Sequence, residues 1–200
     1  NSRGVKRVEA GKVQEGIDDY NVALACGKEK ADPSYSVILG NRGIAKERLG
    51  DYRGAINDIN ASLRLNDGHA LVYAVRGAAR RHLGDLESAI KDLTIAITRS
   101  DEELDLACFY NNRGYTYFLL GHAQKAIEDY QKAIDVKPSD VVFINNLGDA
   151  WFSLGDKEKA IHAYKRVLAV SPTCAYALAR LKEIQHRGQN CLSFLTPEEQ

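Results

Sequence analysis

Small and apolar residues recur along the chain in fixed phase. Gly11, Gly50, Gly84, Gly121 and Gly155 lie 39, 34, 37 and 34 residues apart, and an isoleucine follows each by six positions: Ile17, Ile56, Ile90, Ile127 and Ile161. Five positions after the same glycines stand Gly16, Ala55, Ala89, Ala126 and Ala160, and seven before them stand Gly4, Gly43, Gly77, Gly114 and Gly148. Self-similarity at a period of roughly 20 to 50 residues marks a repeat architecture. Each unit reads as two amphipathic helices flanking a tight turn, with the glycine supplying the left-handed backbone that ends the first helix. Small side chains at facing phases then let the two helix backbones approach closely.

These residues resemble the tetratricopeptide repeat family, whose 34-residue unit carries small, Gly, aromatic, Ala and Pro signatures in this order. Leu49-Gly50-Asp51-Tyr52 with Ala55-Ile56 shows the pattern, as do Leu120-Gly121 with Ala126-Ile127 and Leu154-Gly155-Asp156 with Ala160-Ile161, closed by Pro138 and Pro172. The resemblance implies an all-α, right-handed α-solenoid of about five hairpins plus a C-terminal capping helix. The array is expected over 1–188, with units at about 1–30, 36–69, 70–106, 107–140 and 141–174, a capping helix over 175–187 stopped by Gly188, and a tail over 189–200. The first unit begins partway through its first helix. Five extra residues precede the second unit and three precede the fourth, around Cys26–Pro33 and Arg99–Leu106, and are expected to lengthen helices or linkers.

The repeats also serve as an internal comparison. Eight positions before the turn glycines stand Arg3, Arg42, Arg76, Arg113 and then Leu147; eight after them stand Asp19, Asp58, Asp92, Asp129 and then Ala163. Both charges disappear together in the fifth unit. Arginine and aspartate on opposite arms of one hairpin can meet through a two-pronged hydrogen bond, so the pattern predicts an Arg–Asp bridge in each of the first four units. A general bias toward charge on solvated faces does not explain the joint loss.

Composition narrows the function. The 200 residues are 44% hydrophobic, and 27 Lys and Arg balance 27 Asp and Glu. No apolar run reaches the 18 or so residues of a membrane span, so no membrane insertion is expected. Balanced charge argues against a nucleic-acid partner, whose affinity rests on excess Lys and Arg; an RNA-binding helical array is disfavoured on the same ground. Cys26, Cys108, Cys174 and Cys191 have no close pair, which fits reduced, cytoplasmic surroundings. His69, His82, His122, His162 and His186 never pair at ligand spacing, and there is no phosphate loop, His-Glu-x-x-His or nucleophile elbow. The expectation is therefore no enzyme, no catalytic residue, no metal and no cofactor. Asn1 opens a chain without methionine, consistent with a segment of something longer, so a docking or regulatory segment of a larger enzyme stays open.

In the family that the chain resembles, partners bind along a concave groove lined by one stripe of each unit's first helix. Transferred by position, the stripe takes Val37, Gly40, Ile44, Glu47 and Arg48 from the second unit and Leu71, Ala74, Ala78, Arg81 and His82 from the third. The fourth gives Cys108, Asn111, Tyr115, Phe118 and Leu119, and the fifth gives Val142, Asn145, Asp149, Phe152 and Ser153. Its apolar members, with the asparagine row Asn41, Asn112 and Asn146, fit a peptide or amphipathic helix with an apolar anchor: carboxamides can pair with an extended backbone whatever its side chains. Phe118, Leu119 and Phe152 can equally fill gaps between helices or meet the capping helix. The carboxylate clamp of chaperone adaptors, two lysines, two asparagines and an arginine over three units, is the alternative, but each candidate frame supplies at most one matching residue. The protein is expected to be monomeric or weakly self-associating through Cys191, Leu192, Phe194 and Leu195 of the tail.

Overall fold

A computed structural model describes residues 1–26 and 33–192, with side chains described over 1–26 and 34–186. Among the described residues there are eleven helices and no strand, in two compact units, Asn1–Glu102 and Glu103–Gln200. The first unit holds three hairpins: α1 (Ser2–Glu9) with α2 (Val13–Cys26), α3 (Pro33–Arg48) with α4 (Tyr52–Leu65), and α5 (Ala70–His82) with α6 (Leu86–Arg99). The second holds α7 (Glu103–Leu119) with α8 (Ala123–Val136), α9 (Val141–Ser153) with α10 (Lys157–Val170), and a lone α11 (Ala175–Leu192). The division between them falls inside the extra residues before the fourth repeat.

The turns form for the reason read in the sequence. All five repeat glycines take a positive φ, between 78° and 84°. At the α3–α4 turn the Gly50 N–H donates to the Glu47 carbonyl and the Asp51 N–H to the Lys46 carbonyl, both at 2.9 Å, satisfying carbonyls that the helix end leaves open. Asp51 then caps α4 through the Gly54 N–H at 2.9 Å, and Asp85 and Asp156 cap α6 and α10 in the same way.

The second small phase sets the hairpin spacing. A Cβ at Gly43 would stand 2.7 Å from Ile59 Cγ1 and 3.2 Å from the Ala55 carbonyl; at Gly148 it would stand 2.7 Å from the Tyr164 ring. Around these approaches lie the cores, Val8, Ile17, Tyr20, Ile38 and Ala45 in the first unit and Tyr130, Ile134, Ile144, Tyr164 and Val167 in the second. Each large aliphatic side chain buried there contributes about 1.5–3 kcal/mol.

The extra residues before the second and fourth repeats lengthen the first helices: α3 and α7 have 16 and 17 residues, whereas α5 and α9 have 13. Residues 27–32 of the first insertion lie outside the described residues. α11 runs through Gly188 to Leu192 instead of stopping at 187. A glycine ends a helix where the chain must turn back through the left-handed region, and inside a straight helix it costs only about 1 kcal/mol. The expected packing of Cys191, Leu192, Phe194 and Leu195 lies outside the described side chains.

Candidate protein-binding surface

The first helices are oriented by the charge pairs read in the sequence. Arg42 reaches the two oxygens of Asp58 at 2.7 and 2.6 Å, Arg76 reaches Asp92 at 2.9 and 2.7 Å, and Arg113 reaches Asp129 at 2.7 and 2.8 Å. In the first hairpin Arg3 places two nitrogens on Asp19 Oδ1, at 2.9 and 2.5 Å. All four carboxylates are buried. The Arg3 hydrogen bond holds Asp19 below the usual carboxylate range, with burial pulling the other way.

Two further kinds of partner were not read from the pattern. Arg7, Lys46 and Arg80 bring a second cation to the same aspartates, at 3.0, 2.9 and 2.7 Å. They stand four positions before the turn glycine, where Tyr117 and Trp151 stand in the later repeats, so the signal was present in the sequence. Arg42 and Arg76 also donate to Asn21 and Asn60 of the preceding hairpin, at 2.8 and 2.7 Å. Each guanidinium thus ties its own hairpin and the one before it.

The fifth repeat carries Leu147 and Ala163 in place of the pair, and its carboxylate has moved to Asp149. That group accepts from the Tyr164 hydroxyl at 2.7 Å, the Tyr176 hydroxyl at 2.5 Å and Arg180 Nε at 3.0 Å. Burial and the Asp149 charge push the Tyr176 hydroxyl up to about 12. Arg180 also lies 4.7 Å over the Phe152 ring. The network docks α11 onto α9 and covers part of the expected stripe.

The transferred stripe divides by exposure. In the first unit Val37 and Leu71 are exposed, Ile44 and Ala78 are half-buried, and Gly40 and Ala74 are buried. A cavity of about 180 Å³ opens beside Val37, Gly40 and Asn41. In the second unit Tyr115, Leu119 and Val142 are exposed at 37%, 47% and 54%, whereas Phe118 and Phe152 are half-buried against the core. The asparagines largely serve neighbouring helices. Asn146 Nδ2 donates to Asn111 Oδ1 at 2.8 Å, Asn41 Nδ2 to Asn1 Oδ1 at 3.1 Å, and Asn145 Nδ2 to Cys174 Sγ at 3.9 Å. Asn145 Oδ1 is buried with no partner among the described residues, and the Asn112 carbonyl accepts from Thr116 Oγ1 at 2.8 Å. At the end of α5 the His82 ring stacks on Tyr52, centroids 4.3 Å apart.

Among the described residues no cluster of three His, Cys, Asp or Glu is placed to hold a metal ion, and no helix is long and apolar enough to cross a membrane. Family models of the tetratricopeptide repeat match residues 41–103, 107–140 and 142–174. The chain belongs to the tetratricopeptide repeat family. No curated protein matches the sequence. Among solved tetratricopeptide structures, the crystal structure of MamA is similar at 27% identity and a TM-score of 0.72, over 86% of this chain and 96% of that one. The first tetratricopeptide domain of Spaghetti (RPAP3), bound to the HSP90 peptide SRMEEVD, is similar at 27% identity and a TM-score of 0.55, over 59% of this chain and 91% of that one. YrrB, a tetratricopeptide protein with an unusual peptide-binding site, shares 17% identity at a TM-score of 0.73, over 90% and 88% of the two chains, a likeness of fold alone.

Proposed function

We propose that this chain is a protein-interaction scaffold that takes a peptide or amphipathic helix on the stripes of its first helices, anchored by an apolar side chain. The observation that carries the reading is the exposure of Tyr115, Leu119 and Val142 on helices whose opposite faces are committed to the core. Apolar groups left in water at helical spacing suit a complementary apolar partner. The Val37 and Leu71 stripe of the first unit offers the same chemistry. Membership of a family with a peptide-bound relative supports peptide recognition. The chemistry of a carboxylate clamp is absent from the matching positions, which hold Val5, Leu71 and Val75, or Ile44, Val75 and Cys108, or Ala74, Ala78 and Val142, where lysines, asparagines and an arginine are required. Apolar anchoring is therefore favoured over terminal-carboxylate capture.

The test is titration of a captured partner against folded variants at low and high salt. Tyr115→Ala weakens binding by about 2 kcal/mol or more if it is a desolvated anchor. Unchanged affinity in the Tyr115 variant, together with a steep loss on adding salt, rejects the apolar mechanism.

A further inference from the structure

In the fifth repeat a pocket lies beside the positions that carry the Arg–Asp pair in the other repeats. A cavity of about 220 Å³ opens between α8, α9 and α10. Its lining includes Leu147 and Ala163, the two residues that replace arginine and aspartate, and Gln131, which holds the phase of Asn21 and Asn60. In the earlier hairpins this set of positions is bridged by a guanidinium bonded to both polar partners. Here the guanidinium is missing, Leu147 and Ala163 stand in place of the pair, and Trp151 stands in place of the second cation. The volume exceeds the roughly 150 Å³ of an apolar cavity that takes up benzene.

The walls define what fits. Ile144, Leu147 and Ala163 are buried and, with Trp151, form the apolar part of the lining. Lys159, His162 and Arg166 belong to the rest of the lining together with Gln131, and no carboxylate does. The nearby carboxylates are engaged, Asp156 by Lys159 at 2.8 Å and Asp135 by Gln131 at 2.9 Å. Lys159 lies 4.2 Å over the Trp151 ring and Arg166 donates to the Pro138 carbonyl at 2.7 Å, so both cations are held in place beside the opening. We propose that this cavity is a second binding site, which takes one apolar side chain of an acidic peptide segment of a partner protein. Burial of the side chain against Ile144, Leu147 and Ala163 supplies affinity, and Lys159 and Arg166 select flanking carboxylates. The site lies on the hairpin-pair side of α9 and does not use the first-helix stripe.

Trp151 is the only tryptophan of the chain, so its fluorescence reports occupancy directly. The probe is a short, terminally blocked peptide with one leucine between aspartates, compared with versions in which serine replaces the leucine or lysines replace the aspartates. The leucine–aspartate peptide is expected to give a saturable change in Trp151 emission that weakens with salt, and the two control peptides are not. Leu147→Arg with Ala163→Asp restores the pair that four other hairpins carry, and should weaken the response by about tenfold or more, the loss expected for one desolvated apolar side chain. If that variant fails to fold, Ala163→Leu fills the space without charge and gives the same reading. Tyr115→Ala leaves the response intact. No change in emission, an equal response to the serine peptide, or full retention in the filled variants overturns the proposal, as does a response that tracks protein concentration and a larger sedimenting species, which would assign the cavity to a second copy.

Discussion

Arg113 meets Asp129 through two parallel hydrogen bonds, 2.7 and 2.8 Å long, with the guanidinium 14% and the carboxylate 4% exposed. Burial works against the guanidinium charge, yet the Asp129 hydrogen bond and charge hold the Arg113 pKa above its ordinary value. The guanidinium is therefore charged in the folded state across the accessible pH range. What such a pair contributes is a matter of comparison, because two buried charges must be desolvated before they attract.

The comparison is built into the chain. Arg113→Ala leaves the Asp129 carboxylate buried without its main partner and should destabilise the second unit by about 3–5 kcal/mol. Arg113→Leu with Asp129→Ala copies the Leu147 and Ala163 arrangement without orphaning a charge, and should be less destabilised than Arg113→Ala, the remaining cost being the volume lost from the hairpin. Urea unfolding of the three proteins checks this: a double variant as damaged as the single one would show that the pair itself, and not the orphaned charge, carries the stability.

The repeating part of the fold was legible because five copies can be laid over one another. Turn glycines, the small phase and the Arg–Asp pairs each appear as a column, and each column has one physical reason. The Asp149 network was not legible, since Tyr176 and Arg180 lie in a helix with no second copy to compare. For the same reason the end of α11 was misplaced at Gly188. The stripe was legible as positions and only partly as availability: Phe152 meets the capping helix beneath Arg180, one of the two readings the sequence allowed, whereas the turn of Asn146 to Asn111 was not read. Which side of a first helix its neighbour covers depends on packing that a column of residue types does not contain.

Asp149 is the hinge pin of the capping helix. Asp149→Ala removes the acceptor of three charge-assisted hydrogen bonds and should cost about 2–3 kcal/mol in the docking of α11. Tyr176→Phe removes one and should cost about 1 kcal/mol. Hydrogen exchange resolves the effect, with amides of α11 losing protection while those of α7 and α8 keep theirs. Uniform loss across both helix pairs would mean that α11 is not a separately opening element.

Gly148 tests the close approach of α9 and α10. An added Cβ would lie 2.7 Å from the Tyr164 ring, and that ring is fixed by its hydroxyl bond to Asp149. Gly148→Ala should therefore destabilise by about 1–3 kcal/mol, although alanine is the better helix former. Thermal unfolding decides the sign; a more stable variant would show that the hairpin can open slightly without loss.

His82 gives the first unit a pH dependence with a defined direction. Burial and the Arg81 charge lower its pKa from the usual value, and Glu47 opposes them only in part. The folded state thus binds a proton on His82 less readily than the unfolded chain does. Above a pH of about 6.5 both states are neutral at this site and its contribution to stability is complete. As the pH falls through that value the unfolded chain takes up the proton first, so stability declines until the folded-state pKa is passed and then levels. The neutral ring that stacks on Tyr52 is the form being protected. In His82→Gln this part of the decline is gone. Melting temperatures measured from pH 7.5 down to 5 should therefore fall less steeply in the variant than in the wild type. Parallel curves would show that the stack accepts the imidazolium as readily as the imidazole.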